Sequence, residues 1–404
     1  MGELKKRPFK RIGKEIPGNH SIPAGGRQVK RDIGIDYLRS GVTVTVVAHH
    51  AALAYNTFSH YNPLRYTEST APVVDTVRFF PFDVFVAWND IFFMSLMFLI
   101  SGLFVAPSIT RKGVGQFLTD RTKRLGIPFI ISVTLLSPAA YYPSWLLSDS
   151  AGQGGFLGRF FTVDGWPPGP AWFISVLLLF CIVAATAHHY IPTLMRKLSW
   201  SAESAGSLVV VFLAVSLATT IPMHLLIGPN VWFGSARPFW LPASRVLLYF
   251  AWFLLGVALG SANAERSLSR ENLRLWPLWL AIGGLGYLAH AMVTSGAYLP
   301  NAPAWVVKVM SATAFSFCCT FTSLAAIGLA RSFFRNNRSL ADHFSGNAYG
   351  VYVFHYGFVI WLQFSLLALP IPAAVKFLIT LSVALAASWF LTALLRKTAA
   401  KKIL

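Results

Sequence analysis

Apolar runs long enough to cross a bilayer recur about every forty residues along this chain, and a soluble fold has nowhere to bury so many. A hydrocarbon core of roughly 30 Å takes about twenty consecutive apolar residues in helical form. Runs of that kind lie near 35–56, 86–106, 125–147, 171–190, 207–227, 243–261, 276–295, 304–330, 347–369 and 372–394 of the 404 residues. Backbone polar groups inside lipid have to be satisfied within their own segment, so these runs read as helices. The expected fold class is all-α, a polytopic integral membrane helical bundle of about ten transmembrane helices. Only 12% of the residues are charged, about half the share of a soluble chain. Pro128, Pro138 and Pro143 interrupt the third run and Lys308 stands at the start of the eighth. The expected organisation is a basic disordered cytoplasmic tail over 1–34, a transmembrane domain over 35–395 and a short basic cytoplasmic tail over 396–404.

A net charge of +19 would suit a nucleic-acid binder, so the placement of the basic residues matters more than their number. Of 34 Lys and Arg, 26 fall in 1–34, 111–124, 196–197, 266–274, 331–338 and 396–402, which are alternate connections. The opposite connections hold only Arg65, Arg78, Arg159, Arg237 and Arg245. This is the positive-inside bias, and it predicts both termini in the cytoplasm, with the excess charge drawn to anionic membrane lipid. No basic, aromatic-interleaved domain stands outside the runs, so nucleic acid is not an expected partner. Cys181, Cys318 and Cys319 all fall inside runs; they read as small packing residues, too few for a zinc site, and no metal is expected. Residues 1–34 lack the apolar core of a cleavable signal, and Lys6 stands where a myristoylation motif needs Ser or Thr. Phosphate-loop, H-E-x-x-H and G-x-S-x-G motifs are absent, and "GGLG" at 283–286 lies within a run, where small residues pack helices.

The first run, "IDYLRSGVTVTVVAHHAALAY", carries Asp36, Arg39, His49 and His50. Eleven residues of α-helix turn through about 1100°, which puts Arg39 and His50 within roughly 20° of one face and about 16 Å apart along the axis. Asp36 and Thr43 share that side; His49 points about 80° away from Arg39, so His50 is the histidine coaxial with the arginine. Charges within a membrane usually face a cavity or a partner, and Asp36 is placed to pair with Arg39 three residues on. Imidazole titrates near neutral pH and suits proton transfer from a hydroxyl. His224, His290, His188 and His189 lie near run ends and read as interfacial. The connections 57–85 and 148–170 are long and rich in aromatics and carboxylates; their aromatics read as an interfacial belt or as lid or acceptor-binding elements.

Arg39 and His50, spaced R-x10-H and preceded by "IDYL", resemble the first helix of the membrane-bound acyltransferase 3 family. "MFLISGLFV" at 97–105 is similar to that family's second helix, and "FLTDRTKRLGIPF" at 117–129 to its R-x-x-R-[LI]-x-x-P element through Arg121, Arg124 and Pro128. "GPAWFISVLLLF" at 169–180 resembles its x-x-W-F helix and "SGNAYGVYVFHYGFV" at 345–359 its late tyrosine and histidine segment, with Tyr352 and His355. Asp90 sits further upstream of the paired aromatics than the family's usual acid. The layout, with no soluble esterase-like domain after the last run, is closest to glucan-modifying O-acyltransferases.

The resemblance implies an inner-membrane O-acyltransferase with cytoplasmic acyl-CoA as donor substrate, no permanently bound cofactor, and a carbohydrate hydroxyl at the external face as acceptor. His50 and Arg39 are the expected catalytic pair, Arg121 and Arg124 the acyl-CoA phosphate ligands, and Asp36, Tyr352 and His355 secondary site residues. Arginine forks match phosphate geometry. The handle is common to acetyl and succinyl donors, so both stay open. A transporter or exporter of a small polar or glycan-related substrate, with Asp36, Arg39 and His50 as its pathway, is the alternative. A helix-packing scaffold is a third reading.

Overall fold

The computed structural model describes residues 32–262, 264–334 and 339–404, so the tail expected over 1–34 lies almost wholly outside the described residues. Ten long helices make up the bundle among those residues: α1 (Ile33–Leu53), α2 (Pro81–Leu103), α3 (Val114–Leu146), α4 (Trp172–Tyr190), α5 (Ala205–Leu226), α6 (Val246–Ser261), α7 (Trp276–Thr294), α8 (Ala304–Phe333), α9 (Ser339–Leu366) and α10 (Ala373–Leu395). The described sheet structure is a two-stranded hairpin between α5 and α6, β1 (Phe233–Ala236) with β2 (Phe239–Leu241). The protein is an all-α membrane bundle: eight of the helices, α2 to α8 and α10, are long and apolar enough to cross a bilayer. The other two, α1 and α9, are of spanning length but more polar. They pack against each other and carry the histidines.

Small residues set the closest helix crossing. A Cβ added at Gly102 of α2 would run into the Phe253 carbonyl of α6, and one at Gly256 or Gly260 into the Leu99 or Leu103 carbonyl of α2. Backbones that approach this closely pack by dispersion, the force left to helices whose surroundings are as apolar as they are. Beside the crossing lies the main core, where Phe98 of α2 meets Phe173 and Phe180 of α4 and Tyr249 of α6 at ring separations of 4.7–5.1 Å.

The prolines of the third run do not end its helix. Instead α3 begins at Val114, earlier than the run at 125–147 suggests, and passes through two π turns, Thr122–Gly126 and Ser132–Leu136. A proline removes one helical N–H and crowds the carbonyl four residues back; a wider turn relieves the crowding and leaves carbonyls without donors. Aromatic side chains take them up. Tyr349 Oη of α9 donates to the Arg124 carbonyl at 2.6 Å, four residues before Pro128. Trp361 Nε1 of α9 donates to the Ala139 carbonyl at 2.9 Å, four before Pro143. Trp166 Nε1 donates to the Val133 carbonyl at 2.8 Å, five before Pro138.

At the end of the bundle where α1 finishes, the two long connections clasp each other. Tyr66 donates to Asp164 Oδ2 at 2.9 Å and Thr67 to the Asp164 carbonyl at 2.7 Å; burial and the carboxylate beside it raise the Tyr66 phenol pKa. Their aromatics therefore face inward in part, with Tyr66, Tyr141 and Phe160 forming a buried cluster. The first connection is also pinned to α10: Lys376 Nζ reaches Asp75 Oδ2 at 2.6 Å, with side chains 0% and 1% exposed. At the other end, Arg396 donates to the Gly346 carbonyl and to Asn347 Oδ1, which fixes the start of the C-terminal tail against α9.

Candidate functional site

A cavity of about 230 Å³ opens between α1, α2, α4, α6 and α9 toward the end where α1 finishes. Its wall includes His49 and His50 of α1, Asp90, Phe93 and Met94 of α2, Trp172 of α4, Arg245 and Tyr249 at the start of α6, and Tyr352 of α9. The connection between α5 and α6 closes it with Asn230, Val231, Trp232, Pro242 and Ser244. The sequence pointed to 57–85 and 148–170 as acceptor-binding elements; of these two connections only Pro170 reaches the cavity.

His50 is the centre of a ring cluster. Its imidazole lies 5.4 Å from that of His355, 5.4 Å from that of His49 and 5.1 Å from the Tyr356 ring. Gln363 Nε2 donates to the His50 and Ala51 carbonyls at 2.9 and 3.1 Å and so holds the last turn of α1 against α9. His355 Nδ1 donates to the Tyr352 carbonyl at 2.7 Å, which fixes the tautomer and leaves Nε2 as a buried acceptor. Tyr352 donates to the Pro170 carbonyl and forms part of the wall. Gly169 has φ +55°, and a Cβ there would meet the Tyr356 ring at 3.1 Å, so glycine lets that turn sit beside the cluster.

The rotation argument separates His49 from His50, yet both line the cavity. His49 is buried and stacks on Phe93 at 5.1 Å, on the α2 side, while His50 faces α9. Asp90 and Arg245 stand beyond His49: Arg245 Nη1 donates to the Asp90 carbonyl at 2.9 Å and to its Oδ2 at 2.7 Å, and Nη2 reaches Asn230 Oδ1 at 3.3 Å. The guanidinium also lies 5.1 Å over the Phe315 ring. His224 is fully buried, and the rings of His224 and His290 both flank Phe315.

The remaining residues singled out from the sequence lie away from the cavity. Arg39, whose side chain is 42% exposed, pairs with Asp36 at 3.7 Å near the start of α1. Arg121 is half-buried, with its guanidinium 5.1 Å over the Phe117 ring; Arg124 is exposed. A π turn begins at Thr122, between the two arginines, so they diverge more around the axis than α-helical i, i+3 neighbours do.

The profile of a family described as an acyltransferase domain matches residues 32–393. The chain belongs to the acyltransferase 3 family. No curated protein and no solved structure matches it. As an acyltransferase 3 protein with helices that suit a bilayer, it is a multi-pass membrane acyltransferase. The matched span takes in every cavity residue, including three that sequence reasoning gave no part in the site: His49, Asp90 and Arg245. Asp90 is an acid inside an apolar run, which by itself requires a partner, and that was the one signal in the sequence for the pair.

Proposed function

We propose that this protein is an inner-membrane O-acyltransferase that passes an acyl group from cytoplasmic acyl-CoA to a carbohydrate hydroxyl at the external face. The observation that carries the reading is His50, which combines the R-x10-H spacing with a place in the wall of an open cavity. In this scheme Arg121 and Arg124 hold the phosphates of the donor, and Arg39, about 16 Å along α1 from His50, orients the arm between them. The acceptor hydroxyl gives its proton to the His50 imidazole as its oxygen attacks the thioester carbonyl. The tetrahedral intermediate collapses, the C–S bond breaks, and the imidazolium returns the proton to the departing thiolate. His355 lies beside His50 and holds the imidazole in place, as does Gln363 through the backbone. The donor has no tightly held cofactor to work with in this scheme; acyl-CoA is consumed at each turnover.

The test is mass spectrometry of envelope glycans from cells with the wild-type chain, with His50→Ala, or without the gene. An ester-sized mass that depends on the protein and vanishes in His50→Ala is the expected result. Unchanged glycans with altered uptake or efflux would transfer the case to a transporter.

A further inference from the structure

The scheme above gives the Asp90–Arg245 pair no task. Helix packing does not require it, since α2 and α6 are already brought together at Gly102, Gly256 and Gly260, and placing two charges in an apolar bundle carries a desolvation penalty. The two partners are unequally enclosed: the Arg245 side chain is 14% exposed and that of Asp90 47%. Asp90 also lies in the cavity wall, so its carboxylate is within reach of a ligand there. Arg245 engages Oδ2 and the Asp90 backbone, and no hydrogen bond to Oδ1 is made among the described residues. A guanidinium fixed by Asn230 and Phe315 thus aims a carboxylate whose second oxygen is open to a ligand.

The rest of the wall says what kind of ligand. Among the described residues, Asp90 and Arg245 are the only Asp, Glu, Lys or Arg side chains that line it, and they cancel. Phe93, Trp172, Trp232 and Tyr249 supply flat apolar faces, which suit the C–H face of a sugar ring. A cavity of about 230 Å³ is far larger than the ~10–15 Å³ a single water needs, and has room for a sugar ring. We infer that Asp90 is the acceptor-orienting residue, taking a hydrogen bond on Oδ1 from a second hydroxyl, and that the acceptor is an uncharged sugar residue with a free hydroxyl next to the one acylated. An anionic sugar would meet Asp90 with the one arginine in reach already matched. An amine would displace Arg245 from its partner and leave that charge uncompensated. This inference rests on the acyltransferase reading.

Tandem mass spectrometry of envelope glycans from cells carrying the wild-type chain locates the ester. An ester on a neutral sugar with a free adjacent hydroxyl is the expected result. An ester on a uronate or phosphosugar, or beside a deoxy or N-acetyl carbon, overturns the inference and leaves acyl transfer standing; no ester at all removes acyl transfer itself. Asp90→Asn, with the charge-balanced Asp90→Asn/Arg245→Gln as the variant that does not strand an arginine, should lower glycan esters about ten- to a hundredfold, the loss of one charged hydrogen bond. Binding of coenzyme A by the same purified proteins, which the proposed scheme assigns to Arg121 and Arg124 outside the cavity, should be unchanged, whereas a variant that merely disturbs the fold would lose it. Wild-type ester level and position in both membrane-inserted variants overturns the assignment.

Discussion

Lys376 and Asp75 meet at 2.6 Å with almost no solvent contact, so neither can lose its partner cheaply. Lys376→Met is expected to lower stability by about 3–5 kcal/mol because it strands a buried carboxylate, and Lys376→Met/Asp75→Asn to recover most of that; thermal unfolding in detergent measures both. The same logic reaches every charge in the apolar runs. Asp36 pairs with Arg39, Asp90 with Arg245, and Lys308 Nζ reaches the Leu225 carbonyl at 3.4 Å. That these residues need partners is legible in the sequence, and so is the local pair Asp36–Arg39; the partner of Asp90 is not, because Asp90 and Arg245 are 155 positions apart. Histidines gave a weaker signal, since helix rotation distinguishes His49 from His50 but says nothing of how many walls a cavity has. His50→Ala is expected to lower turnover by about 10²–10⁴-fold in protein that still inserts and binds acyl-CoA. His49→Ala, which loses the stack on Phe93, should cost less. Parallel assays of the two variants check the assignment: a dead His49→Ala beside an active His50→Ala would move the proton transfer to the α2 side of α1.

Helices carry these residues into register, and the crossing of α2 with α6 matters most for the site because Asp90 and Arg245 ride on those two elements. Gly256→Val is expected to force the backbones apart at Leu99, break the pair and abolish activity, while Gly41→Ala, with open space around its Cβ position, should be tolerated; enzyme assays on matched membrane amounts distinguish them. The element least legible from sequence was α3. Periodicity assumes 3.6 residues per turn, and two π turns break that assumption without ending the helix, so Pro128 and Pro138 looked like interruptions. The connection between α5 and α6 was passed over because it is shorter than the two aromatic connections, although Asn230 and Trp232 place it at the cavity. Tyr349→Phe removes the donor to the Arg124 carbonyl and is expected to weaken acyl-CoA binding roughly ten- to a hundredfold by loosening the turn that carries the arginines, as measured by titration of purified protein.

For the molecule as a whole, the positive-inside bias predicts the orientation of the bundle: a reporter active only outside the cytoplasm should be silent after Leu404 and active within 57–85 and 148–170, and activity at Leu404 would reverse the proposed orientation of the C-terminus. The all-α membrane class was plain from hydropathy, which finds eight of the ten helices apolar enough to span, whereas the pairing of the more polar α1 with α9 emerges only from their packing. They are the polar helices of the bundle, screened by apolar neighbours. The hydrogen bonds from α9 to α3 add a time dimension, because ribosomes deliver the chain in one direction. Tyr349 and Trp361 follow their acceptors by 225 and 222 residues, roughly ten to forty seconds of translation. Until then the proline-freed carbonyls of α3 have no partner from α9, and hydrocarbon offers none. A nascent α3 therefore waits in the hydrated vestibule of the insertion machinery or at the lipid headgroups, and a ribosome stalled before Ser339 should leave it accessible to water-soluble labels that the finished protein excludes.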